Sequence, residues 1–87
     1  MNRTKRIEFI LKKNFLNFNI NIVDNSHLHI GHNDFNGKGE THITAQLKIH
    51  NKSKINRLEV HNKVNSLLKE EFNNGLHSLE IKIILID

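Results

Sequence analysis

There is no cysteine among these 87 residues. That excludes disulfides, a thiol nucleophile and any metal site built on the chain's own thiolates, and nothing points to a secreted, oxidised setting. No apolar run approaches the roughly 20 residues needed to span a bilayer. The basic start, Met1-Asn2-Arg3-Thr4-Lys5-Arg6, is followed by Glu8, Lys12 and Lys13, which interrupt any signal-peptide core. A cytoplasmic location away from membranes is the expectation. Linkers, internal repeats and low-complexity stretches are missing too, so residues 1–87 read as a single domain. A chain of this length buries roughly 60–65% of its unfolded surface and can fold without staples.

The usual marks of an enzyme are also absent. No serine sits in a nucleophile elbow, no carboxylate pair is held on rigid elements, and no glycine-rich phosphate loop opens a helix. The chain reads as a non-enzyme. What it has instead is histidine, seven in all, with a net charge of +4. His27, His29 and His32 share one short stretch, and His42 follows. Imidazoles bind borderline metals and titrate near physiological pH, so the cluster suggests a metal or a pH-dependent contact. The charge permits contact with nucleic acid or an acidic protein surface and demonstrates neither.

Periodicity gives the element order. Thr4 offers a cap to a first helix, in which Ile7, Ile10, Leu11 and Phe15 recur at three- and four-residue spacing. Phe18, Ile20 and Ile22 then alternate with Asn17, Asn19 and Asn21, a half-buried strand ending near Asp24. Asp24 and Ser26 organise the turn that leaves it, since such side chains bond nearby amides. Residues 25–40 have the composition of a long loop. Ile43, Ala45, Leu47 and Ile49 form the apolar face of a second strand, with Thr44, Gln46, Lys48 and His50 opposite. Ser53 offers the next cap. Ile55, Leu58, Val60, Val64, Leu67, Leu68 and Phe72 then recur at helical spacing, as one bent helix or two, stopped by Asn73-Asn74-Gly75. In the last strand Leu79, Ile81, Ile83 and Leu85 share a face, and Ile84 and Ile86 turn the other way, which suggests partial cover on both sides. The order is α-β-β-α(α)-β, an α+β fold with a three-stranded mixed sheet and helices packed on one face. The long connection between the second and third strands makes them parallel.

That order, with four short motifs, resembles the BolA family, whose fold is like the type II KH domain. The motifs are Val23-Asp24-Asn25-Ser26-His27-Leu28-His29-Ile30-Gly31-His32, Gly39-Glu40-Thr41-His42, Ile55-Asn56-Arg57 with Leu67-Leu68-Lys69-Glu70-Glu71, and Leu76-His77-Ser78-Leu79. The resemblance runs from about residue 7 to residue 86. It departs at Arg57-Leu58-Glu59, where the family typically reads Arg-His-Arg. The Gly-x-x-Gly clamp of true KH domains is missing as well, because the turn after the second strand reads Asn51-Lys52-Ser53-Lys54.

The resemblance implies iron–sulfur trafficking with a monothiol glutaredoxin. The implied site is a bridged 2Fe-2S cluster, with the partner's cysteine and glutathione on one side and histidines of this chain on the other. Histidine can replace cysteine on one iron, as in Rieske centres. By the same resemblance His77 is the first ligand, and the second is His29 or His32. The chain is expected to be monomeric when alone. His42 reads as structural, pinning the loop through a hydrogen bond, and His50 and His61 read as surface residues. The cations at 3, 5, 6, 12, 13, 52, 54, 57 and 63 read as a solvated surface. The alternative function is a KH-like regulator that binds DNA through Lys52, Lys54, Arg57 and Lys63, with affinity falling steeply as salt rises. A third reading is a stand-alone zinc or copper site on His27, His29, His32 and His42, a poor selective site if its loop lacks fixed geometry.

Overall fold

Asn2, rather than Thr4, starts the first helix: its side-chain oxygen accepts the Lys5 amide at 2.9 Å. In the computed structural model, which describes residues 2–26 and 41–87, α1 spans Arg3–Asn14. It buries Ile7 and Leu11 and is followed by buried Phe15. Lys12 and Lys13 in its last turn complement the helix dipole. Strands β1 (Asn19–Asp24) and β2 (His42–His50) pair antiparallel, with Ile20 opposite Leu47 and Ile22 opposite Ala45. This register puts the apolar members of both alternations on the helix-covered face.

The segment after β2 stays non-helical up to Asn56, whose side chain caps α2 (Arg57–Leu67) by accepting the Glu59 amide at 3.1 Å. Ser53 therefore caps nothing here. The helical run is two helices, with α3 at Lys69–Asn73 and Leu68 at the junction. One expected core position is corrected. Leu58 lies in the first turn of α2, 69% exposed, while Val60, Val64 and Leu68 carry the buried stripe. At about 100° per residue Leu58 lies roughly 200° from Val60, on the far side of the helix from that stripe.

Gly75 takes φ +118°, the backbone freedom that the Asn73-Asn74-Gly75 stop requires. A Cβ there would meet the Arg3 guanidinium at 3.3 Å. The Leu76 amide then donates to the Glu71 carbonyl at 2.9 Å, closing the helix end. Strand β3 (Ser78–Ile86) runs parallel to β2, with sheet order β1-β2-β3. Leu79, Ile81 and Ile83 join the core, which is built on Ile7, Leu11, Phe15, Ile20, Ile43, Ala45, Leu47, Val60, Val64, Leu68 and Leu76. On the outer face of β3 Ile84 is half-buried and Ile86 is 42% exposed, and Leu85 on the helix face is open as well, so the outer cover is partial and stops before the strand's end.

Two cations expected to be solvated are structural. Arg3 Nε and Arg6 Nε donate to the carboxylate of Glu71 at 3.0 and 2.8 Å, and Arg6 Nη2 adds a bond of 2.9 Å. Arg3 Nη2 also donates to the Asn74 carbonyl at 2.7 Å, so the start of α1 is tied to the end of α3.

Candidate functional site

The exit of β1 and the start of β2 meet around one buried hydroxyl. Asp24 Oδ1 accepts the Ser26 amide at 2.9 Å and the Ser26 hydroxyl at 2.6 Å. Ser26 Oγ in turn accepts the amides of Thr41 and His42 at 2.8 and 3.2 Å and the Thr41 hydroxyl at 3.3 Å. The turn role expected of Asp24 and Ser26 is therefore what the structure shows, with a further reach: they clamp both ends of the segment 27–40. Replacing Ser26 by alanine leaves the buried Thr41 amide without its acceptor, and a loss of about 1–2 kcal/mol in urea unfolding is expected. A change below about 0.5 kcal/mol would show that the clamp does not hold in solution.

The carbonyl of Thr41 carries the connection to β3. It accepts the amides of His77 and Ser78 at 2.8 and 3.1 Å. Parallel pairing places His42 opposite Ser78, so the histidines that open two neighbouring strands sit at the same end of the sheet. Their rings meet edge to face, with centroids 5.7 Å apart and planes at 84°. His77 is exposed and His42 half-buried. The Nδ1 of His42 lies 2.9 Å from the hydroxyl of Thr41. Next to this corner the outer sheet face carries polar pairs: Thr44 donates to Glu80 at 3.2 Å, and Asn21 donates to Gln46 at 3.0 Å.

Of the residues expected to bind metal, His77 stands immediately before β3, exposed, with its amide bonded to the Thr41 carbonyl. His27, His29 and His32 lie outside the described residues. Among the described residues, no group of three or more histidine, aspartate or glutamate side chains is placed to hold a metal ion. His50 is exposed, its Nδ1 accepting the Lys52 amide at 3.1 Å, and His61 is half-buried on α2. The pairing of His42 with His77 was missed in the sequence. A signal was present, since Thr41-His42 and Leu76-His77 each open a strand and those two strands were expected to be parallel.

Of the four candidate nucleic-acid contacts, all exposed, two also reach backbone carbonyls. Lys63 donates to the Asn14 carbonyl at 3.1 Å and lies 4.8 Å from the Phe15 ring centre, so it covers the end of α1. Arg57 reaches back to the Ile83 carbonyl at 3.4 Å. Lys52 and Lys54 are exposed in the turn after β2. Among the described residues, no helix is long and apolar enough to cross a membrane.

Comparison with known proteins fits this arrangement to one family. A family model described as BolA-like protein matches residues 11–85. An uncharacterized protein in the cobS 5′ region of a Sinorhizobium species is 32% identical over 83 residues, covering 94% of this chain and 89% of that one. BolA1 from Arabidopsis thaliana, a solved structure, is 31% identical with a TM-score of 0.77, covering 98% of this chain and 93% of its own. The BolA domain of SufE1 from the same plant gives a TM-score of 0.76 at 27% identity, with the same coverage.

Proposed function

This chain belongs to the BolA-like family, and from that premise we propose that it is a non-enzymatic partner of a monothiol glutaredoxin. Together the two proteins bind, assemble or relay a shared 2Fe-2S cluster, with the thiolates and glutathione on the partner's side. The observation that carries the reading is the placement of His77. It is an exposed imidazole at the open end of β3, fixed through its backbone amide to Thr41, in a chain that has no thiolate. The donor set fits an iron that takes imidazole in place of sulfur, because the chain's soft ligands are absent and its nitrogen ligands are accessible. The backbone bonds from His77 and Ser78 to Thr41 hold the start of β3 beside β2, which supports a ligand role for a side chain carried there. Imidazole ligation raises a cluster's reduction potential relative to thiolate, which suits a cargo that must be passed on. The second imidazole comes from the same chain, and His29 and His32 are the candidates the sequence offers.

The test mixes the chain with a cluster-loaded monothiol glutaredoxin and follows visible absorption and circular dichroism. The expected result is a changed cluster spectrum on complex formation that His77→Ala abolishes. An unchanged spectrum with the wild-type chain would sink the shared-cluster reading.

A further inference from the structure

We propose that the outer edge of β3 pairs with the same edge of a second copy of this chain, joining two three-stranded sheets antiparallel about a two-fold axis at Ile81. Three observations carry this, and none involves the histidines or the segment 27–40.

The first is the set of backbone groups that point outward. In the sheet order β1-β2-β3, the last strand has β2 on one side and, among the described residues, no strand on the other. The Ser78 amide donates to the Thr41 carbonyl, and the Ile86 carbonyl accepts the Asn51 amide. Each residue of a parallel strand turns both backbone groups to one side, alternating along the strand. The even-numbered residues from Ser78 to Ile86 therefore bond β2, and Leu79, Ile81, Ile83 and Leu85 turn theirs outward. The Arg57 guanidinium, 3.4 Å from the Ile83 carbonyl, lies on that outward side. That contact is at the long limit of a hydrogen bond and comes from an exposed side chain, so an incoming strand displaces it. A long exposed edge of this kind is a template for another strand.

The second is the apolar character of the edge. Leu79, Ile81 and Ile83 pack against the core yet stay partly exposed, and Ile84 is half-buried on the opposite face. Leu85 and Ile86 are 45% and 42% exposed. With the axis at Ile81, Leu79 lies opposite the partner's Ile83, and Ile81 lies opposite the partner's Ile81. The inward apolar rows of the two sheets then run on into each other.

The third is charge, which selects the register. Glu80 and Lys82 are the charged residues of β3, 61% and 51% exposed. Outward groups of two antiparallel copies align only when odd-numbered residues face odd-numbered ones, so the axis passes through a residue. An axis at Glu80 sets two glutamates against each other, and an axis at Lys82 sets two lysines. An axis at Ile83 puts both charges opposite isoleucines, and one nearer either end shortens the overlap. With the axis at Ile81, Glu80 faces the partner's Lys82, and Lys82 faces the partner's Glu80. These are non-hydrogen-bonded pairs, in which facing side chains come closest. The two His77 residues lie at opposite ends of the paired strands, and the pairing does not depend on a cluster at either.

So small an interface leaves the chain monomeric when dilute, with a dissociation constant on the order of 0.1–1 mM. Sedimentation equilibrium from about 20 µM to about 2 mM tests this, with a monomer–dimer equilibrium expected over the range. Glu80→Lys and Lys82→Glu should each weaken association roughly tenfold, although they move the net charge in opposite directions. The double exchange, Glu80→Lys with Lys82→Glu, should restore it. All these side chains are exposed, so the monomer fold is kept, which circular dichroism checks. A second measurement needs no variant: isotope-filtered NOE spectra of mixed labelled and unlabelled wild type should show the Glu80 and Lys82 α-protons in contact across copies. A chain still monomeric at the highest concentration overturns the proposal. So does association unchanged by both single exchanges, or intermolecular contacts confined to another surface.

Discussion

Replacing Leu68 by alanine is expected to cost about 3–4 kcal/mol of folding stability. Leu68 is fully buried at the junction of α2 and α3, packed in the same cluster as Leu11, Leu47 and Val64. Its backbone work survives the change: the amide still donates to Val64 at 3.0 Å, and the carbonyl still accepts the amides of Glu71 and Phe72 at 3.0 and 3.2 Å. The loss is therefore the side chain's transfer from water and the cavity left behind. In a domain with a total stability of about 5–10 kcal/mol, that is a large fraction. A fall in melting temperature of roughly 12–30 °C follows for a chain of this size. Leu58→Ala is the control. At 69% exposed it should stay within about 0.5 kcal/mol of the parent. Chemical unfolding followed by circular dichroism checks both, and equal effects at the two leucines would contradict the helix orientation.

Glu71→Ala is expected to cost about 3 kcal/mol at neutral pH, because it removes the carboxylate that neutralises the largely buried guanidinium of Arg3. The Glu71 side chain is 9% exposed, whereas the two arginines differ, with the Arg3 side chain 12% and the Arg6 side chain 41% exposed. Truncating Arg3 should accordingly hurt more than truncating Arg6, whose charge is partly hydrated. The hydrogen bonds from Arg6 pull the Glu71 carboxyl below its ordinary value of 4.5, those from Arg3 add to this, and burial opposes them. A carboxyl whose folded pKa is depressed contributes stability that is fully present above its unfolded value. That contribution fades as the pH falls below about 4.5 and through the folded pKa. Wild type should therefore lose stability over this acid range more steeply than Glu71→Gln, with the two curves converging at the acid end. Urea midpoints measured from pH 7 down to pH 3 test the claim, and parallel curves for the two proteins would refute it.

These residues show where sequence reading works and where it stops. The alternations Ile20–Ile22 and Ile43–Ala45–Leu47–Ile49 name the strands and their inward faces, because side-chain direction in a strand depends on parity alone. The helical run from 55 to 72 was legible as a pattern, but its start was not. Ser53 and Asn56 are both credible caps, and tertiary packing chose between them. Leu58 lies about 200° around the helix from Val60 wherever the helix starts, so it is exposed once Val60, Val64 and Leu68 face the core. Arg3, Arg6 and Glu71 look like ordinary surface charges in sequence, being separated by 65 or more positions. No local signal distinguishes a charge that will be buried by a distant helix.

The candidate site divides along the same line. By itself, the sequence determined that the chain brings nitrogen and no sulfur, that His77 opens the last strand, and that Asp24 and Ser26 shape the turn out of β1. These follow from composition, from short motifs and from side chains that bond amides within reach along the chain. The tertiary structure decided that His42 is the neighbour of His77, that one serine clamps both ends of the segment 27–40, and that exposed Lys63 and Arg57 reach the carbonyls of Asn14 and Ile83. The physical reason is register. Local periodicity says which way a side chain points, but the partner it meets is set by how parallel strands align and where the helices come to rest, and both depend on the whole core at once.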